Sequence, residues 1–157
     1  MIHFAVDCMG SDNGPKVVVE AIKNFLKKHE DVFIYACGDE EDLKELKSHE
    51  RVEIRHTTQV VPMECGAMQV MRMKDSSMMK VFSLFEETKI DAAVSAGSTG
   101  GFLSLATLKL KFNKFKLSAI FILPSINQLI FAKLIDLLRL QYDYHNLQSF
   151  CLVNQQY

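Results

Sequence analysis

The chain has no C-x-x-C pair. Its four cysteines, Cys8, Cys37, Cys65 and Cys151, are scattered, which leaves neither a zinc knuckle nor a redox motif to read and points to free thiols in a reducing compartment. Surplus positive charge is also missing. At a formal net charge of -1, the excess of Lys and Arg that displaces counterions from a nucleic acid is absent, so no nucleic-acid partner is expected. No uncharged run reaches the ~18 to 20 residues that cross a bilayer; the longest apolar stretch is the broken one from Leu117 to Ala132. The opening MIHFAVDCMG carries no basic leader and meets an acid at Asp7, unlike a signal or transit peptide. These absences predict a cytoplasmic protein, soluble or peripheral to a membrane, whose partner is a small anion or another protein.

Glycine is absent from the last 56 residues, all seven glycines lying at or before Gly101, where average usage predicts about four. Charge thins out too, with only Lys133, Asp136, Arg139 and Asp143 from residue 118 onward. Residues 127–157 therefore read as an atypical tail: an amphipathic helix through Leu129, Ile130, Lys133, Leu134, Leu137, Leu138 and Gln141, or a disordered end from truncation or a shifted reading frame. A chain of 157 residues is one domain in length, able to bury roughly two-thirds of its unfolded surface.

Residues 1–126 alternate in type. Ile2 to Val6 is a strand ended by a cluster of turn residues from Asp7 to Pro15, and Pro15 opens a helix whose apolar face carries Val17, Val18, Ala21, Ile22, Phe25 and Leu26. Val32 to Ala36 and Val52 to His56 are the next strands, separated by a charged helix from Glu41 to Lys47 with Leu43 and Leu46 inward. A Met-rich helical segment follows at Ala67 to Met73, then a helix from Met78 to Glu87 capped by Asp75 or Ser76, with Met79, Phe82 and Phe85 inside. A fourth strand, Ile90 to Val94, precedes a helix from Phe102 to Leu110. This alternation predicts an α/β fold with a doubly wound, mostly parallel, Rossmann-like sheet, incomplete in this chain.

Two loops stand where such sheets take ligands, beyond the carboxyl ends of strands. Ser95 to Gly101 combines glycines, the hydroxyls of Ser98 and Thr99 and the positive end of a helix dipole, as an anion requires. Small residues that merely permit tight packing would look the same. It is neither a P-loop nor a dinucleotide fingerprint. In the loop from Asp7 to Pro15, Asp7, Gly10, Asp12 and Gly14 either orient a ligand or cap the first helix. At Lys74 to Met78, a cation beside Ser76 and Ser77 can neutralise a phosphate oxygen or serve only as a helix start.

Taken in order, these segments resemble the bacterial phosphate acyltransferases that make acyl-phosphate for phospholipid synthesis. The family's D-x-M-G-x-D-x-x-P is met by Asp7, Met9, Gly10, Asp12 and Pro15, and its G-D-E by Gly38, Asp39 and Glu40. Its H-T-T-x-V-(I/V)-x-M is met by residues 56–63 from His56, its K-D-S-S-M by Lys74 to Met78, and its S-A-G-N-T-G by residues 95–100. Ser98 stands in place of the family's Asn, and Glu64 to Ala67 is only loosely similar. Lys116 to Ser125 echoes the family's next strand and L-P turn.

The resemblance implies acyl transfer from the thioester of acyl carrier protein to inorganic phosphate, in a homodimer, with no cofactor or metal. It further implies phosphate held by Gly97, Ser98, Thr99 and Gly100, catalytic roles for Lys74, Ser76, Ser77 and Asp7, and loop support from Met9, Gly10, Asp12 and His56. Lys109, Lys111, Lys114 and Lys116, interleaved with Phe112 and Phe115, form a patch that suits acidic carrier protein or an anionic membrane, or is a solvated helix end. The same loops also fit a phosphate- or nucleotide-binding domain without transferase activity, and a cut sheet would make the chain a non-functional fragment.

Overall fold

The computed structural model describes residues 1–88 and 90–109 and the backbone of residues 120–122. Five strands form one sheet: β1 (Ile2–Asp7), β2 (Val32–Gly38), β3 (Val52–His56), β4 (Ala92–Ser95) and β5 (Ile120–Ile122). Their order is β3-β2-β1-β4-β5, and every neighbouring pair is parallel. The sheet is doubly wound. β5 lies in the stretch where the family resemblance anticipates a further strand.

The central position of β1 explains its composition. A strand covered on both faces needs apolar side chains in both directions, and Phe4, Ala5 and Val6 are all buried. Phe4 and Val6 face α1 (Pro15–Lys28), which presents Val18, Val19, Ile22, Phe25 and Leu26. Ala5 faces the other layer, where α3 (Ser77–Glu87) and α4 (Thr99–Lys109) pack through Met78, Phe82, Phe102 and Leu105. The Phe82 and Phe102 rings meet at 4.8 Å between centroids, a tilted contact worth about 0.5–1.5 kcal/mol beyond burial itself. The single turn α2 (Ala67–Val70) closes this side.

Several boundaries differ from the sequence reading. The stretch Glu41 to Lys47 forms only a 3-10 turn, Lys44–Leu46, after Asp39 Oδ1 accepts the Glu41 N–H at 2.8 Å. Seven residues are too few to offset the cost of helix nucleation; Leu43 and Leu46 are nevertheless buried as expected. The α1 face is rotated by one residue, with Val17 exposed and Val19 buried. No side chain of Asp12 or Asn13 caps α1: the cap is Gly14 at φ 75°, with Pro15 in the first turn. Helix α4 begins three residues earlier than periodicity predicts. The tail from residue 127 and the cations Lys111, Lys114 and Lys116 lie outside the described residues. Among the described residues no helix is long and apolar enough to cross a membrane.

Candidate functional site at the carboxyl end of the sheet

The winding direction changes between β1 and β4. The chain leaves β1 through α1 on one face toward β2, and leaves β4 through α4 on the other face toward β5. The chain therefore proceeds from these two strands toward opposite faces of the sheet, which is the geometry that opens ligand sites in α/β sheets. Polar burial marks the same place. The buried polar residues among those described are Asp7, Thr57, Ser76, Ser77, Ser95 and Ser98, and each lies within one residue of a strand end or a helix start at this end.

A polar group taken out of water must find partners, and here the partners tie loops together. Asp7, ending β1 opposite Ser95 in register, accepts from the Ser77 hydroxyl at 2.6 Å, the Ser95 hydroxyl at 2.7 Å and the Met9 N–H at 3.1 Å. Ser95 Oγ in turn accepts the Gly97 N–H at 3.0 Å. Burial raises the Asp7 carboxyl above its ordinary 3.8, with the Ser77, Ser95 and Met9 bonds opposing the rise. Burial also pushes up the Cys8 and Cys37 thiols, reinforced at Cys8 by Cys37 and Asp7 and at Cys37 by Asp7. Cys8, Cys37 and Cys65 are free and buried.

The motif loops are stitched to each other. Gln59 N–H donates to the Asp75 carbonyl at 3.3 Å and Ser77 N–H to the Gln59 carbonyl at 3.2 Å, a one-residue parallel bridge. Thr58 donates its N–H at 3.1 Å, and its hydroxyl, to Asp75 Oδ2; the Thr58 hydroxyl, then its N–H, lowers the Asp75 carboxyl from its ordinary value. Gly10 takes φ 79°, a conformation that favours glycine, and a Cβ there would lie 3.5 Å from Val60 Cγ1 and 3.6 Å from Gly97 Cα. A Cβ on Gly97 would lie 3.4 Å from Asp7 Oδ2. The turns after β1 and β4 thus lie about a methyl group's width apart at the switch.

The anticipated site residues divide into groups. Asp7, Met9, Gly10, Ser77 and Gly97 are brought together. Ser76 is the cap of α3, donating to the Met73 carbonyl at 2.8 Å and accepting the Met79 N–H at 3.2 Å. Ser98 does the same for α4, donating to the Met63 carbonyl at 3.0 Å and accepting the Gly101 N–H at 3.2 Å, while its carbonyl takes the Phe102 N–H at 2.9 Å. Thr99 and Gly100 are exposed, and their N–H groups meet no protein acceptor among the described residues, as expected for the first turn of a helix. Lys74 is exposed and its ammonium is unpaired among the described residues. Asp12 is exposed at the edge of the β1 loop. His56 is exposed, its Nδ1 accepting the Glu40 N–H at 3.2 Å and so holding the Gly38–Glu40 turn.

Ser95 and Thr57 were not singled out from sequence. Thr57 is buried, with its N–H on the Gly38 carbonyl at 3.0 Å and its hydroxyl toward Met9 Sδ at 3.6 Å. Ser95 directly follows the apolar strand residue Val94, a usable signal, whereas Thr57 follows the exposed His56 and carries none; the partners of both depend on the strand order.

Fold and site together define a doubly wound α/β domain with an open helix start at its topological switch, the class suited to holding an anion on backbone N–H groups. The chain belongs to the fatty acid synthesis protein family, whose model matches residues 2–130. It is 38% identical over 105 residues to the phosphate acyltransferase of Staphylococcus aureus (strain bovine RF122 / ET3-1), covering 66% of this chain and 31% of that protein. It is 39% identical over 105 residues to the phosphate acyltransferase of Staphylococcus epidermidis (strain ATCC 12228 / FDA PCI 1200), covering 66% of this chain and 32% of that protein. The chain spans about a third of the length of these curated relatives.

Proposed function

We propose that the chain carries the phosphate-handling part of an acyltransferase that moves a fatty acyl group from acyl carrier protein to inorganic phosphate. The observation that carries this reading is the start of α4: exposed Thr99 and Gly100, with unclaimed N–H groups, set on a turn braced by Asp7, Ser95 and Ser98. Phosphate is ionised at neutral pH and needs no strong base. An oxygen of hydrogen phosphate attacks the thioester carbonyl carbon to form a C–O bond and a tetrahedral oxyanion, whose collapse breaks the C–S bond, and the carrier thiol leaves with the proton that the phosphate gives up. Catalysis then consists of positioning the dianion and stabilising the oxyanion.

In this reading Thr99 and Gly100 hold phosphate through their backbone N–H groups and the Thr99 hydroxyl, Gly97 and Ser98 shape the turn that presents them, and Lys74 supplies an exposed cation. Ser76 and Ser98 act by fixing the helix starts. Acyl carrier protein as acyl donor, a homodimeric assembly and a cytoplasmic, membrane-peripheral location complete the proposal as what the motif resemblance implies.

Inorganic phosphate titrated into the 15N-labelled chain is expected to shift the Thr99 and Gly100 amides saturably. Thr99→Val and Lys74→Ala are expected to weaken binding several-fold each, and affinity to fall with added salt. Absence of saturable shifts, or shifts centred elsewhere, refutes the assignment.

A further inference from the structure

Asp7 was expected to act on the reacting groups, yet its side chain is only 2% exposed and both carboxylate oxygens are occupied. It cannot reach a ligand without abandoning bonds that compensate its own burial. Its four-bond chain instead runs between two helix starts. Ser77, first residue of α3, donates to Oδ1; Met9 N–H donates to the same oxygen; Ser95 donates to Oδ2 and accepts from Gly97 N–H. A serine hydroxyl has one proton, so giving it to Asp7 turns the oxygen's lone pairs toward Gly97. The turn is closely surrounded: a Cβ added at Gly97 would just touch Asp7 Oδ2 at 3.4 Å and Met78 Cε and the Met9 carbonyl at 3.5 Å.

The geometry points to Asp7 as a positioning residue that, through the Ser95 hydroxyl, fixes the Gly97 turn against the first turn of α3 and so sets the direction of the Thr99 and Gly100 amides. Ser77 then serves the anion indirectly, by holding the carboxylate. The inference rests on reading the α4 start as the phosphate site. It adds that the β1 aspartate and the α3 serine support that site without touching the ligand.

The test uses the 15N-labelled full chain and two readouts: hydrogen exchange of the Gly97 amide relative to the amides of β1, and the affinity for inorganic phosphate. Ser95→Ala and Asp7→Ala are expected to speed Gly97 exchange at least tenfold beyond any change in β1, and to weaken phosphate binding at least fivefold. Asp7→Asn is expected to fall between, since its carbonyl oxygen still accepts from Met9 and Ser77. Ser83→Ala, which removes a hydroxyl bonded to the Met79 carbonyl on α3, is expected to change neither. Should Asp7→Ala fail to fold, Ser95→Ala and Asp7→Asn decide alone. Gly97 exchange that rises only in step with β1 makes the network merely structural and overturns the inference. A wild-type chain that binds no phosphate ends the functional reading instead, while the exchange measurement still decides whether Asp7 holds the Gly97 turn.

Discussion

Gly100 and Gly101 are neighbours in the first turn of α4, and alanine should stabilise at the first and fail to stabilise at the second. Both substitutions gain the same intrinsic helix preference, about 0.8–1 kcal/mol. At Gly100 a Cβ meets nothing within 4 Å, so the gain is retained. At Gly101 it would lie 3.1 Å from Val61 Cγ1, 3.3 Å from Ser98 Oγ and 3.4 Å from Met78 Sδ. Val61 and Met78 are 4% and 1% exposed, and Ser98 Oγ is held by its bonds to Met63 and Gly101, so none of the three can retreat freely. Overpacking of this kind costs about 1–3 kcal/mol, leaving Gly101→Ala neutral to about 2 kcal/mol less stable than the parent and separating the two variants by about 1–3 kcal/mol. At this chain length each kcal/mol corresponds to roughly 2–4 °C in Tm. Urea unfolding followed by circular dichroism measures the difference directly. If Gly101→Ala is stabilised as much as Gly100→Ala, α4 does not pack on Val61 and Met78, and the arrangement of the α4 start argued above is wrong.

Asp7→Asn should change how stability depends on pH. Because burial raises the folded carboxyl above 3.8, the folded state holds its proton to higher pH than the unfolded chain does. The Asp7 contribution is therefore fully present below 3.8 and declines as pH rises through the folded value. The wild type should lose stability relative to Asp7→Asn across that window; urea midpoints for both proteins from pH 3.5 to 8 check this, and a gap that narrows in Asp7's favour with rising pH contradicts it. Phe82→Ala removes a ring with no exposed surface that stacks against Phe85 and lies tilted against Phe102, and should cost about 3–5 kcal/mol. A loss under 1 kcal/mol in thermal or urea unfolding would mean that α3 and α4 are not packed together on the sheet.

The alternation of apolar runs with turn clusters was enough to read β1 to β4 and α1, α3 and α4, because each carries either a buried run or a helical stripe. The helix starts were harder to place. Periodicity begins where side chains enter the core, at Phe102, whereas α4 begins where Ser98 accepts the Gly101 N–H; the residues between, Thr99 and Gly100, are exposed and leave no apolar signal. The charged stretch from Glu41 misled for the complementary reason. Its composition suits a helix, but length and the Asp39 turn override propensity. At the site, the identity of the loops was legible and the allotment of their hydroxyls was not. Ser76, Ser77, Ser95 and Ser98 are the same side chain in four settings, and only the strand order, which places Ser95 beside Asp7, and the isolated bridge of Gln59 with Ser76 show which of them spend their hydroxyls on caps and which on the carboxylate.

That allotment also accounts for the one departure from the family's S-A-G-N-T-G pattern within this turn. A hydroxyl that touched phosphate would not be interchangeable with an amide, since Asn presents a longer, planar group with a different donor geometry. As the cap of α4, however, position 98 needs only a side-chain oxygen that accepts the Gly101 N–H, and Ser and Asn rank together as caps. Ser98→Asn should therefore preserve α4 and leave phosphate affinity within about twofold. Ser98→Ala removes both the cap and the bond to the Met63 carbonyl and should cost about 1–2 kcal/mol in unfolding free energy. Equal loss of phosphate affinity in the two variants would show that the residue 98 side chain contacts the anion itself. A difference confined to Ser98→Ala assigns the side chain to the helix and the anion to the amides behind it.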